Sequence, residues 1–138
     1  MNQFSNINPL EKIISSLSYL TAGMAGFIWL IIAAFMKKTV KPFLMYHIMQ
    51  SIFLSIAYFL FIELYKLFFI VIAKVPIINS ILFLFNSILF NPLPLFWGMS
   101  LFQVFTTTVV LYLAITSLLG KYSYIPYVSD IIKRNVGR

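Results

Sequence analysis

Two polar residues three positions apart, His47 and Gln50, lie within an otherwise apolar segment that begins at Pro42. Residues at this spacing share one face of a helix, so both side chains would meet the same neighbouring element. An imidazole could bind a metal, but the chain has one His and no Cys, so two or three further ligands are missing. We therefore expect His47 and Gln50 to form hydrogen bonds between helices, without a metal or cofactor.

Four other polar residues fall in apolar segments, and they complete the set of candidate site residues. Asn79 and Asn86 each begin a copy of Asn-Ser-Ile-Leu-Phe, one heptad apart, which predicts a polar stripe on one helix face. Gln103 and Thr107 belong to a polar patch in the last long apolar segment. Such groups either line a hydrated path or hold helices together, at about 0.6–2 kcal/mol per contact. We expect Gln103 to be the partner of Gln50.

Catalytic patterns are missing from the sequence. The chain has three acidic residues, and it contains no HExxH motif, no glycine-rich phosphate loop and no Ser-His-acid set. We therefore predict a protein without catalytic residues, whose function is physical rather than chemical.

The composition is that of an integral membrane protein. Hydrophobic residues make up 62% of the 138 residues and charged residues 9%, and the mean hydropathy is +0.98. A soluble domain carries about 25% charged residues, so this chain cannot cover a surface that faces water. The net charge of +7 comes from residues that flank apolar segments, as topology-setting charges do. This placement argues against nucleic acid as a partner.

The hydropathy pattern predicts one all-α membrane domain with four transmembrane helices and a short interfacial helix at the end. The third segment is marginal for a span, and a re-entrant piece or an interfacial helix remain alternatives. In the first segment, Ser18, Ala22 and Gly26 recur every four residues and predict close helix packing. The predicted spans are 13–36, 43–70, 77–92 and 96–119, followed by the interfacial helix 128–137.

Several boundary residues refine this prediction. Glu63 and Lys66 are spaced to form an ion pair, either at the membrane interface or within the membrane. Gly120 is expected to end the fourth span as a C-terminal cap, and Ser129 to cap the tail helix. Lys133 and Arg134 would make that helix basic on one face, for contact with the lipid surface.

The positive charges suggest an orientation without settling it. Four spans would place both termini on one side, opposite the loop 37–41, and the richer side is expected inside. If the segment 77–90 does not cross, the loop and the tail share a side, which the charges also allow. In the four-span arrangement, the side of the termini would carry Lys12, Lys74, Lys121, Lys133, Arg134 and Arg138. The side of the loop would carry Lys37, Lys38 and Lys41.

Two stretches resemble one known family. The pattern Phe43…Met45-Tyr46-His47-Ile48-Met49-Gln50-Ser51 resembles the aromatic-x-x-(Asn/His)-x-Met-Gln-Ala start of a helix in the twenty-kilodalton subunit family of the chloroplast inner-envelope translocon. The stretch Leu118-Leu-Gly-Lys121…Ile125-Pro126…Val128-Ser129-Asp130 is similar to the end of that family: Leu-Leu-Gly, a basic residue, then Ile-Pro-x-(Val/Ile)-(Ser/Ala)-(Glu/Asp). Together the two motifs cover about a quarter of the chain.

The resemblance implies a four-helix subunit of a complex that conducts preproteins across the plastid inner envelope, with both termini stromal. Its partners would be the lipid bilayer, other translocon subunits and translocating preproteins. The alternative is a small bacterial-type four-helix membrane protein with a structural or partner-binding role.

Overall fold

The computed structural model describes residues 7–72 and 74–136, and its regular structure is entirely helical there. Proline occupies the first turn of α1, α3 and α4, where its fixed φ suits a helix start and its missing N–H costs nothing. The predicted all-α class is thereby confirmed. The helices are α1 (Pro9–Leu20), α2 (Met24–Phe35), α3 (Pro42–Ile72), α4 (Pro76–Phe90), α5 (Leu101–Leu118) and α6 (Val128–Val136), with a 3-10 helix at Pro94–Phe96.

The described residues form two compact units. Unit 1 takes the chain up to Ala57 and again from Val110 onward, and unit 2 takes Tyr58–Val109. The long helix α3 contributes its first half to unit 1 and its second half to unit 2, and α5 is divided in the same manner.

The first predicted span, 13–36, is not one helix. It is divided into α1 and α2 by a turn in which Ala22 and Gly23 have φ of 52° and 86°. The N–H of Ala22 donates to the carbonyl of Tyr19 and the N–H of Gly23 to that of Ser18, which is the usual hydrogen-bond pattern of a helix end followed by a left-handed residue. The prediction of one continuous span is therefore wrong, because consecutive left-handed residues reverse the chain.

Helices α1 and α2 lie side by side in opposite directions. A Cβ added to Gly26 would lie 2.6 Å from Ser18 Oγ and 2.9 Å from Ile48, so the glycine is what allows these surfaces to meet. The predicted ridge of Ser18, Ala22 and Gly26 along one helix is wrong, because Ser18 and Gly26 lie on two antiparallel helices and pack against each other. Ala22, the middle residue of the predicted ridge, lies in the turn.

One end of unit 1 collects several chain segments, and we call it the basal end. Lys41 Nζ lies 2.9 Å from Glu11 Oε1, so the starts of α1 and α3 are neighbours. The rings of Phe43 and Tyr122 have their centroids 5.4 Å apart, which brings the chain after α5 to the same place. Helix α2 also ends there, because Gly23 lies against Ile52 and Gly26 against Ile48, so α2 runs antiparallel to α3 toward its start. The prediction that loop 37–41 and the tail lie at opposite ends is therefore wrong.

The end of α5 follows the sequence-based prediction. Gly120 has φ of 72°, its N–H donates to Ser117 and the N–H of Lys121 donates to Thr116, each at 3.0 Å. This is the Schellman arrangement, and it confirms Gly120 as the C-terminal cap. A Cβ on Gly120 would also lie 2.8 Å from Cε of Lys12, so the glycine lets α1 approach.

Among the described residues of unit 2, aromatic side chains and one side-chain hydrogen bond hold the helices together. Phe102 at the start of α5 lies 5.6 Å from Phe61 of α3 and 5.1 Å from Phe90 of α4, measured between ring centroids. Tyr65 Oη donates to Asn86 Oδ1 at 3.1 Å. These contacts show that the end of α4 and the start of α5 both lie beside the second half of α3.

The fourth predicted span starts later than expected. The sequence predicts a helix from residue 96, whereas α5 begins at Leu101. Trp97 and Gly98 have φ of 52° and 80°, so the chain turns sharply after the 3-10 helix. The predicted boundary missed this turn because the segment is uniformly apolar.

Three helical stretches of the described residues are long and apolar enough to cross a membrane, which is compatible with a multi-pass membrane protein. Neither α1 nor α2 is among them, since each has 12 residues. The three stretches are Pro42–Ile72, Ile77–Phe96 and Leu101–Leu118; the second contains α4, whose continuous α-helix has 15 residues.

Candidate functional site

Gln50 is the centre of a buried polar cluster in unit 1. Its Oε1 accepts hydrogen bonds from Tyr19 Oη at 2.7 Å and from Ser123 Oγ at 2.9 Å. Its Nε2 donates to Ser129 Oγ at 3.1 Å and, at the longer distance of 3.5 Å, to the carbonyl of Ser123. One amide therefore joins α1, α3 and the tail. Each satisfied bond of this kind contributes about 0.5–1.5 kcal/mol, and leaving one partner buried without a bond costs about 1–3 kcal/mol.

The geometry of the cluster fixes where its protons lie. A carboxamide oxygen only accepts, so the single hydrogen of Tyr19 Oη must be directed at Gln50. Tyr19 Oη is also 2.8 Å from His47 Nδ1, and this nitrogen must then be the donor. The resulting relay runs from His47 Nδ1–H to Tyr19 and on to Gln50. His47 Nε2 is buried without a hydrogen bond of good geometry among the described residues, and the backbone of Lys121 lies beside the ring.

Aromatic rings enclose the imidazole of His47. Phe43 meets it edge-on with centroids 4.6 Å apart, and Tyr46 does so at 5.3 Å. Tyr122 stacks on it at 6.0 Å with an interplanar angle of 15°. These rings keep water from the histidine, which makes its internal hydrogen bond worth more than a solvated one.

The tail contributes two serines that are both buried. Ser123 is held by its backbone as well, since Tyr46 Oη donates to the Ser123 carbonyl at 2.6 Å. Ser129 Oγ accepts from the N–H of Ile125 at 2.7 Å in addition to Gln50. The prediction that Ser129 caps α6 is wrong, because the helix begins at Val128 and the hydroxyl points back into the cluster.

Gln103 does not act as predicted. Its Oε1 accepts from the backbone N–H of Ser100 at 3.0 Å, and its own N–H donates to Ser100 Oγ at 3.2 Å. This reciprocal pair is a capping box at the start of α5. The predicted Gln50–Gln103 contact is therefore wrong, because the side chain of each glutamine is bonded elsewhere.

The remaining candidates lie in unit 2. Asn86 bonds to Tyr65, so it holds α4 against α3. Asn79 and Thr107 are both exposed on their helices. The hydroxyl of Thr108 bonds back to the Val104 carbonyl of its own helix. Of the predicted polar stripe, Asn86 joins two helices and Asn79 is exposed.

The predicted topology charges of the loop 37–41 lie at the basal end. Lys37 and Lys38 are exposed at the end of α2, and Lys41 pairs with Glu11. Arg134 is exposed on α6, whereas the side chain of Lys133 and residue 137 lie outside the described residues. Tyr124 Oη donates to Asp130 Oδ2 at 3.2 Å, and this bond together with the carboxylate charge raises the pKa of Tyr124.

The sequence analysis missed Tyr19, Ser123 and Ser129 as partners of Gln50. Tyr19 shares a segment with several serines, and Ser15 and Ser18 are also fully buried, so a polar helix face was visible there. The serines of the tail gave no comparable pattern. Within residues 7–72 and 74–136, no three His, Cys, Asp or Glu side chains gather closely enough to hold a metal ion.

No family model matches the chain, and neither the curated proteins nor the solved structures gave a match. The function of the chain is therefore inferred from the resemblance of the two motifs and from the geometry of the buried cluster.

Proposed function

We propose that this chain is a non-catalytic, membrane-embedded subunit of a protein-import translocon of the plastid inner envelope. The observation that carries the proposal is the convergence of the two motifs that resemble the translocon family. Tyr46 and Gln50 of the first motif bond to Ser123 and Ser129 in the second stretch, and His47 stacks on Tyr122 there. The two motifs are separated by 66 residues, 52–117. One buried cluster would explain why both occur together.

The cluster supports an architectural role. Both polar atoms of the Gln50 side chain are bonded to other groups of the chain, and the residue is fully buried. A buried network whose members are bonded to one another gives a rigid arrangement of helices. The cluster would hold α1, α3 and the tail in one fixed arrangement to which partner subunits bind.

Any contact with a translocating preprotein would come from unit 2. An extended chain within a membrane needs groups that can bond to its backbone, because hydrocarbon penalises each unsatisfied polar group. Asn79 and Thr107 are exposed in unit 2 and can supply such bonds. They are too few for a wide pore in one copy, so the path would be shared with other translocon subunits.

The topology that accompanies this proposal has both termini on the stromal side, as the resemblance implies. Four spans would require the segment 13–36 to cross the membrane. Neither of its two helices, with 12 residues each, is long enough to cross alone. We retain α6 as an interfacial helix, since Ile131 and Arg134 are exposed while Ser129 and Ile132 are buried against the protein.

Crosslinking of an arrested precursor tests the proposal. Photoreactive probes at Asn79 and Thr107 should crosslink to the precursor in isolated plastid envelopes. Matched probes at Phe83 and Phe105, which are equally exposed but apolar, should crosslink to lipid instead. Crosslinks from the phenylalanine positions alone would contradict a polar path.

A structural subunit without a path is the second candidate. It is favoured by the Tyr65–Asn86 bond, which uses a polar residue of the stripe to join two helices. In that case no probe would reach the precursor, while the chain would still co-purify with translocon subunits in mild detergent. Co-purification with none of them would remove the translocon assignment itself.

A further inference from the structure

The antiparallel pair α1–α2 is too short to cross a bilayer. Each helix has 12 residues, which is about 18 Å of α-helix, whereas the hydrocarbon core is about 30 Å thick. Both outer ends lie at the basal end, where Glu11 pairs with Lys41. The turn at Thr21–Gly23 is therefore the far point of a segment that enters and leaves on one side.

The turn is built to lie in hydrocarbon. Backbone outside a helix is tolerated at membrane depth only where its polar groups are satisfied. The N–H groups of Thr21, Ala22, Gly23 and Met24 all donate to backbone carbonyls within the pair, and that of Ala25 donates to Thr21 Oγ1 at 3.0 Å. Gly23 also packs directly on Ile52 of α3. No described N–H of this turn therefore needs water.

The outer surface of the pair is apolar. Its side chains suit contact with acyl chains over the depth of roughly one leaflet, which is about 15 Å or half of the hydrocarbon core. The exposed apolar residues of α1 and α2 are Leu10, Ile13, Leu17, Leu20, Met24, Phe27, Ile28, Ile31, Ile32 and Phe35.

Positive charges surround the place where the pair would enter the membrane. Lys37 and Lys38 follow α2, and Lys12 packs on Gly120 at the end of α5. Lys121 is exposed between Gly120, which lies against Lys12, and Tyr122, which lies against Phe43. Glu11, the acidic residue of α1, is already paired with Lys41. We call Lys12, Lys37, Lys38, Lys41 and Lys121 the basic collar.

We propose that α1–α2 is a re-entrant hairpin inserted into one leaflet, and that the basic collar binds the anionic phospholipid headgroups of that same leaflet. The hairpin is half a membrane deep, so the collar lies at headgroup level beside it. Anionic headgroups are the complementary partner available at that depth. An acidic protein surface would have to approach over the same headgroups, which is why lipid is the better partner.

The orientation of the chain follows from this arrangement. Helix α3 leaves the basal end and α5 returns to it, since Tyr122 lies against Phe43. The start of α3 and the end of α5 lie on the same side, so the chain between them must cross the membrane an even number of times. Helices α3 and α5 supply these two crossings. Helix α4 then does not complete a crossing, in agreement with the re-entrant or interfacial alternative for 77–90. All collar residues then lie on one side of the membrane. This agrees better with the positive-inside rule than the four-span arrangement, which places six positive residues on one side and three on the other.

Cysteine labelling tests the hairpin, because the chain has no native Cys. Single variants Asn8→Cys and Thr39→Cys occupy exposed positions before α1 and after α2, and Lys74→Cys follows the end of α3. In sealed vesicles, an impermeant maleimide should label the first two from the same side and Lys74→Cys from the other side. Labelling of Asn8→Cys and Thr39→Cys from opposite sides would mean that the segment between them crosses the membrane, and it would overturn the re-entrant hairpin.

Lipid selectivity tests the collar. In nanodiscs containing phosphatidylglycerol and phosphatidylcholine, native mass spectrometry should show retained phosphatidylglycerol on the intact protein. The double variant Lys37→Gln/Lys38→Gln should lower that preference about 5- to 30-fold, since each Lys near an anionic surface contributes about 1 kcal/mol, or about fivefold. The control Lys66→Gln/Lys74→Gln removes two charges outside the collar and should leave the preference unchanged.

The two arms separate the possible failures. Unchanged phosphatidylglycerol retention in Lys37→Gln/Lys38→Gln, with same-side labelling, would overturn the lipid partner and point to an acidic protein surface. An equal loss in both double variants would mean that total charge, not the collar, attracts the lipid, and it would also overturn the proposal. Neither arm depends on membership of a translocon.

Discussion

Units 1 and 2 satisfy their polar groups in different ways. In unit 1, the hydroxyl of Tyr19 reaches His47 and Gln50 on another helix, and Gln50 in turn reaches Ser129, 79 positions along the chain. In unit 2, Gln103 bonds to Ser100 three positions away, and Thr108 bonds to the preceding turn of its own helix. The Tyr65–Asn86 bond is the described exception in unit 2.

Residue type alone therefore does not decide whether a polar side chain joins several helices. Gln50 and Gln103 are the same residue in apolar helices. Gln50 lies where three elements meet, and every bond lost there would leave a buried group without a partner. Gln103 lies in the first turn of α5, where the backbone itself offers an unpaired N–H. Substitutions that compare matched residues of the two units can test this contrast.

The largest expected effect is that of Gln50→Leu. It removes the hydrogen bonds of Tyr19, Ser123 and Ser129 to the amide, and we expect a loss of about 3–5 kcal/mol, since several buried groups lose partners at once. The matched control Gln103→Leu removes half of a capping box and should cost about 1 kcal/mol. Thermal unfolding in mild detergent measures both. Equal losses would end the distinction between the two units.

A smaller effect is expected from Tyr19→Phe. The hydroxyl bonds to both His47 and Gln50, so its removal leaves His47 Nδ1 without a partner and should cost about 2 kcal/mol. Tyr65→Phe removes the single bond to Asn86 in unit 2, and contacts of this kind average about 0.6 kcal/mol in membrane proteins. Denaturant titration of the reconstituted protein gives both values. A larger loss for Tyr65→Phe would contradict the central role of the unit 1 cluster.

Gly26→Ala tests the packing of α1 on α2. The new methyl group would lie 2.6 Å from Ser18 Oγ, and overpacking of this kind costs about 1–3 kcal/mol. Alanine also favours the helix by about 1 kcal/mol over glycine, so the expected net loss is about 1 kcal/mol. Adding Ser18→Ala should recover part of it in a double-mutant cycle. A stabilised Gly26→Ala variant would show that the two helices can separate.

The smallest expected effect is that of Glu63→Gln in unit 2. Lys66 Nζ lies 2.8 Å from Glu63 Oε1, and both side chains are about half exposed. An exposed pair contributes about 0–1 kcal/mol, so the unfolding temperature should hardly change. A loss of several kcal/mol in a bilayer would place the pair within hydrocarbon and would sharpen the choice that the sequence left open.

The all-helical class of the fold and most helix boundaries could be predicted from the sequence. Apolar runs near 20 residues require helices in a membrane, because only internal hydrogen bonds satisfy the backbone there. Pro42 and Gly120 fix a start and an end through their own backbone geometry, and the Glu63–Lys66 pair depends only on helical spacing. These features are local, so the order of residues is sufficient to predict them.

The tertiary structure alone decided which polar groups meet and how the first segment runs. Hydropathy is the same for a helix of 24 residues and for two antiparallel helices of 12, and the difference lies in two left-handed residues, Ala22 and Gly23. The partners of Gln50 were likewise hidden, because a glutamine bonds to any polar group that packing brings near. Ser129 was predicted as a cap because its local sequence allows one. Packing against α3 gave its hydroxyl a buried partner instead.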